Sequence, residues 1–181
     1  MNRKTLFAVF SMAYLIVAAL PAAAQDTGVY VGASIGMAKA KQVCANAVNC
    51  DADETAYKAF GGYQFHKNLA AEAGFQYFGM FGRNSQGIST TALDATVVGS
   101  WPVMNQLSVY GKAGVYFAKM QSKPLEEDNT GFTYGAGVEY ALSRELGLRG
   151  EWQRYNNVGG GSLGFNTDID VISAAVVWRP R

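Results

Sequence analysis

Read with a period of two, this chain divides into alternating segments with an apolar set on one parity and a charged set on the other, and that pattern limits the folds open to it. Eight such segments run over Val29–Ala38, Thr55–Phe65, Leu69–Met80, Thr91–Val103, Leu107–Met120, Gly131–Leu142, Leu146–Tyr155 and Asp170–Arg179. One parity passes through Val29, Ile35, Tyr57, Phe65, Phe75, Leu93, Trp101, Val115, Tyr140, Trp152, Ile172 and Trp178, and the set read on it carries no charge. The opposite parity holds Lys58, Glu72, Asp94, Lys112, Glu139, Arg149, Glu151 and Arg179, four charges of each sign. Each segment is about ten residues long, enough for a tilted strand to cross a bilayer. Glycines recur inside the segments, and each would cost a helix roughly 1 kcal/mol relative to alanine. Strands are therefore expected.

The connections alternate in length. Three are tight: His66-Lys67-Asn68, Met104-Asn105-Gln106 and Ser143-Arg144-Glu145. Four are long and polar, at 39–54, 81–90, 121–130 and 156–169. This layout predicts an all-β, eight-stranded, antiparallel up-and-down transmembrane β-barrel with short periplasmic turns and long outer loops. The competing expectation is a soluble, lipocalin-like ligand-binding barrel in the periplasm, which would turn the apolar face inward. Three features favour the membrane. The charged face is balanced, as a network of ion pairs would be. It is rich in glycine (Gly32, Gly36, Gly62, Gly74, Gly114, Gly135 and Gly137), which leaves room inside a narrow barrel. The apolar face places Tyr57, Tyr63, Phe65, Tyr77, Trp101, Tyr140, Trp152 and Trp178 near strand ends, where interfacial girdles form. Charged residues make up only 16% of the chain, against roughly 25% in a typical soluble domain. Giving half of each strand to lipid accounts for the deficit. The formal charge of +1 argues against a nucleic-acid partner.

Residues 1–24 read as a cleaved signal peptide, leaving 25–181 as the barrel domain. Arg3 and Lys4 precede the apolar run Leu6–Leu20, Pro21 ends it, and Ala22-Ala23-Ala24 offers a cleavage site. A spanning helix would need about 20 apolar residues, so an anchor is the poorer fit. The predicted location is the outer membrane of a Gram-negative envelope. The partners expected there are outer-membrane lipid and lipopolysaccharide, the barrel insertion machinery, and host or surface ligands met through the loops, which would make the chain an adhesin.

The stretches GVYVGASIG, AFGGYQFHKNLAAEAGFQYFG (Ala59–Gly79) and GVEYALSRELGLRGEWQRYNNVG (Gly137–Gly159) resemble the first strand, the second and third strands, and the sixth and seventh strands of the outer membrane protein A family's transmembrane domain. The resemblance covers essentially the whole chain after the signal. It implies a lumenal ion-pair network that plugs, and in some members gates, the barrel. Glu72, Glu139, Arg149 and Glu151 match that network, and Lys112 stands where the family has an arginine. The family's strand-four lysine, an alternative partner in an open state, is replaced by Val98, which puts a two-partner switch in doubt. The chain ends at the last strand, so the family's peptidoglycan-binding activity is not carried over. Proline stands in place of the usual terminal aromatic, at Trp178-Arg179-Pro180-Arg181.

Cys44 and Cys50 share the first long loop, and an oxidising compartment favours a disulfide between them. A metal site is the alternative, disfavoured because no histidine lies nearby in sequence. The one histidine, His66, sits in a tight turn beside Lys67 and Asn68, with no serine to complete a nucleophilic site. No enzyme, cofactor or metal is expected. The third long loop is acidic, through Glu126, Glu127 and Asp128, and the fourth carries Leu163 and Phe165 among small residues.

Overall fold

A computed structural model describes residues 27–40, 53–81, 88–122, 125–158 and 167–180. The proposed signal peptide, the Cys44–Cys50 pair, and Leu163 and Phe165 lie outside the described residues. Eight strands follow one another: β1 (Gly28–Ala40), β2 (Asp53–His66), β3 (Leu69–Phe81), β4 (Ile88–Pro102), β5 (Leu107–Ser122), β6 (Leu125–Ala141), β7 (Leu146–Val158) and β8 (Thr167–Trp178). Each pairs antiparallel with its neighbour, and β1 closes on β8 through pairs such as Ile35↔Ala174, so the sheet is a closed barrel. Closure leaves no strand edge to be stranded in hydrocarbon, where an unpaired peptide group finds no water.

The orientation of the faces follows the membrane alternative. Val29, Ile35, Phe75, Leu93, Val115, Phe117, Leu148, Ile172 and Val176 are exposed on the outer wall, whereas Lys58, Glu72, Asp94, Lys112 and Arg149 are buried inside. A lipocalin-like barrel would reverse this. Trp101 and Trp178 stand on the outer wall at the short-turn end, Trp101 two residues beyond the Leu69↔Gly99 pair and Trp178 opposite Leu146, and Tyr57 and Phe117 stand toward the other end.

Charge segregation fails at the long-connection rim. Arg154 and Asp170 continue the outward parity of Trp152 and Ile172, as Lys119 continues that of Phe117. The Arg154 guanidinium grips Asp170 through Nε and Nη2, at 2.6 and 2.8 Å, and lies 5.4 Å over the Trp152 ring. The outward set is therefore free of charge only across the middle of the barrel. At the rim, headgroups and water can solvate a charge, and pairing lowers its cost further.

The third long connection is also shorter than expected. β5 and β6 stay paired from Leu107↔Tyr140 to Ser122↔Leu125, so 121–130 is mostly a strand ribbon and not a loop. Above the apolar belt a ribbon needs no lipid-facing side. Its alternation then disappears from the sequence, while the backbone ladder persists. The other long connections each lose a few residues to their strands in the same way. Near this end β3 and β7 bulge, with Gly79 at φ 83° and Asn157 at φ 56°.

Candidate functional site in the barrel lumen

The side chains that point inward come from all eight strands and fill the lumen in layers. Toward the long connections lies an apolar layer containing Phe78, Tyr116, Tyr155, Val158, Ile169 and Val171. Phe78 and Tyr116 both meet Tyr155 edge to face, with centroids 4.9 and 5.4 Å apart. Toward the short turns lies a second layer, containing Tyr30, Phe60, Val98, Tyr110 and Val177. The charges occupy the middle and the short-turn side.

They form two neutral groups. In the smaller, Lys58 Nζ lies 2.7 Å from Asp94 Oδ2 and donates to Gln153 Oε1 at 3.0 Å. The Tyr155 hydroxyl donates to the same Asp94 oxygen at 2.7 Å, and Gln153 Nε2 donates to Thr133 Oγ1 at 2.9 Å. The larger group alternates sign across the lumen. Glu72 accepts from Arg149 Nη1 at 2.7 Å and meets Lys112 Nζ at 3.4 Å. Lys112 Nζ also reaches Glu151, at 2.6 Å, and Arg149 Nη2 reaches Glu139, at 3.0 Å. Arg179 Nη2 closes the series on Glu139. Tyr30 and Tyr110 donate to Glu72 and Glu151, at 3.1 and 2.6 Å.

The strand pattern dictates these meetings. Glu139 and Arg149 are direct cross-strand partners of β6 and β7. Lys58 and Asp94 sit two strands apart, with Gly74 of β3 between them. A Cβ at Gly74 would collide with Lys58 Cε, and one at Gly62 would collide with the Tyr30 ring. Glycine at these two positions lets long side chains cross the neighbouring strand and reach a partner beyond it.

The structure thus brings Glu72, Lys112, Glu139, Arg149 and Glu151 into one group and sets Lys58 and Asp94 in another. Val98 packs in the lower apolar layer, and Glu72 holds Lys112 and Arg149 together instead of choosing between them. Sequence reasoning did not identify the uncharged partners. Arg149 lies 4.8, 5.1 and 5.6 Å from the rings of Tyr110, Phe60 and Tyr30. These rings, with Gln153 and Tyr155, share the parity of the charges, which is the signal that would have found them. His66 is exposed, and its Nδ1 accepts from the Asn68 amide at 3.3 Å. Among the described residues no group of His, Cys, Asp and Glu could hold a metal.

Residues 24–181 match the family model for the OmpA-like transmembrane domain. Outer membrane protein A of Klebsiella aerogenes is 31% identical over 131 residues, which cover 67% of this chain and 37% of that protein. The Shigella flexneri protein of the same name is 26% identical over 174 residues, covering 87% and 50%. The chain therefore spans half or less of the length of these curated relatives. In fold it resembles neisserial surface protein A, with a TM-score of 0.68 at 17% identity over 86% of this chain and 100% of that one. It also resembles the attachment invasion locus protein Ail of Yersinia pestis, with a TM-score of 0.54 at 14% identity over 85% and 97%.

Proposed function

The chain belongs to the OmpA-like transmembrane domain family and is an integral outer-membrane barrel of the Gram-negative type, and we propose that it serves as a closed structural element of that envelope, not as a pore. The observation that carries this reading is the filled lumen. A hydrated ion entering from the long-connection end meets the apolar layer around Tyr155, and beyond it paired charges whose donors and acceptors already engage one another. Buried pairs of this kind are costly to part, because each partner left alone stays desolvated.

Under this reading residues 1–24 direct export and are removed. The wall is solvated by outer-membrane lipid and lipopolysaccharide, and insertion relies on the barrel assembly machinery. The long connections offer the surface for contact with other cells. No residue of the lumen is assigned catalytic work.

Planar bilayers give the test. The refolded protein should leave the membrane at baseline conductance, with at most rare small steps. Frequent, long-lived openings in the unmodified protein would contradict the closed-barrel reading.

A further inference from the structure

The short-turn mouth of the barrel is unlike the rest of the lumen, because there the charges of the described residues do not balance. A cavity of about 180 Å³ opens inside this end, lined by Lys67, Arg149 and Arg179 together with Tyr30, Gln64, Ser100, Ser108 and Tyr110, and by one carboxylate, Glu139. A shallower recess adjoins it, shares Tyr30, Gln64, Lys67 and Arg179, and adds Arg144 and Pro180. Among the described residues no carboxylate lines the recess. Four cations among the described residues thus surround the two spaces; Arg149 and Arg179 belong to the neutral lumenal group, and Lys67 and Arg144 are in excess of it.

Glu139 is already engaged by both Arg149 and Arg179. Arg149 uses all three guanidinium nitrogens on Glu139 and Glu72, so it contributes field more than free donors. Arg179 uses Nη2 on Glu139 and stacks 5.7 Å over Tyr30, which holds its guanidinium in the mouth. Among the described residues the side chains of Lys67 and Arg144 take part in no ion pair. Glu145, beside Arg144 in the turn, lines neither space. The backbone of the two turns that carry these cations is also held in place. Gln64 Nε2 donates to the Lys67 carbonyl at 3.0 Å, and Ser143 Oγ accepts from the amides of Glu145 and Leu146, at 3.2 and 3.0 Å.

We propose that this mouth is a binding site for a small phosphate-class oxyanion, taken from the aqueous periplasm. The proposal goes beyond the closed-barrel reading and does not depend on conductance. Short turns face the periplasm in outer-membrane barrels, so the site opens to periplasmic solutes. A cleft lined by one sign of charge with low-dielectric walls concentrates counter-ions of the other sign. Guanidinium groups match tetrahedral oxyanions through paired N–H donors, and an ammonium adds a movable point charge. The excess of cations favours a doubly charged phosphate over a monocarboxylate. The hydroxyls of Ser100 and Ser108 supply uncharged donors deeper inside.

Isothermal titration of the refolded protein in zwitterionic micelles tests the proposal with inorganic phosphate as the probe. Saturable phosphate binding is expected, with acetate at least tenfold weaker. The double variant Lys67→Gln/Arg144→Gln touches neither ion-pair group and should weaken phosphate binding at least tenfold while leaving thermal unfolding unchanged. Three results would overturn the site: no saturable phosphate heat, acetate binding as tightly as phosphate, or unchanged affinity in the folded double variant. Phosphatidylglycerol added to the micelles separates the sources. Saturation by this lipid, with none by free phosphate, would reassign the cations to the inner-leaflet headgroups and also overturn the proposal.

Discussion

Arg149→Met should lower the folding stability of the barrel by about 3–5 kcal/mol, the range for removing one partner of a buried charge pair. Arg149 bridges Glu72 and Glu139, and it lies among the rings of Tyr110, Phe60 and Tyr30, the last of which also meets Arg179. Without it, Glu72 keeps only the longer contact to Lys112 and the Tyr30 hydroxyl, and its carboxylate stays deep in the lumen. Methionine fills much of the volume, so the loss reports on charge more than on a cavity. Urea unfolding in lipid vesicles, followed by tryptophan emission, measures the difference. Adding Glu72→Gln to the same chain should restore a large part of the loss, because the group is then neutral again, with Lys112 on Glu151 and Arg179 on Glu139. If Arg149→Met unfolds at the urea concentration of the unmodified barrel, the ion pairs contribute no stability to the lumen. The same variant should also raise bilayer leak above baseline.

An effect of nearly equal size is expected on the opposite wall. Val115 lies near the middle of β5 and is 45% exposed on the outer surface. Val115→Arg should cost about 2–4 kcal/mol if that surface meets the bilayer midplane. Thr130→Arg, on the same face of β6 but at the long-connection side, should cost no more than about 1 kcal/mol, because interfacial arginine is tolerated. If that wall were hydrated, neither arginine would be costly and the two variants would not differ with depth. Folding yield into vesicles and urea midpoints read both variants.

Most of the barrel can be read in the amino-acid sequence because lipid and lumen impose opposite chemistry on alternate residues. A strand that must present Val29, Val31, Ala33 and Ile35 to one side and Tyr30, Gly32 and Ser34 to the other announces its register residue by residue. The pattern fades where that contrast fades. Arg154 and Asp170 sit on the lipid parity, but at a height where lipid gives way to headgroups, and their pairing across β7 and β8 is visible only in the register. The β5–β6 ribbon continues into the acidic stretch 125–128, whose composition alone suggests a loop. The charged members of the lumen were identifiable one by one, but their partners were not. Periodicity says that Lys58, Glu72, Asp94 and Lys112 point inward, and is silent on how far each reaches around a curved wall. That Lys58 meets Asp94 over Gly74, while Lys112 meets Glu151 and Glu72, depends on barrel closure and strand stagger. The uncharged residues of the lumen were harder still, because Tyr30, Phe60, Tyr110 and Tyr155 look like lipid-facing aromatics unless parity is followed strictly.

The central claim is that the charge-free middle of the wall faces lipid and the ion pairs face the lumen, and the chain carries its own probes of it. All three tryptophans, Trp101, Trp152 and Trp178, lie on the outward parity. Refolding into vesicles whose phospholipid acyl chains are brominated should quench nearly the whole tryptophan emission, while aqueous iodide should have little effect. Emission that survives the brominated lipid would put the tryptophans inside the barrel and contradict the orientation on which the lumenal network and the closed-barrel function both rest.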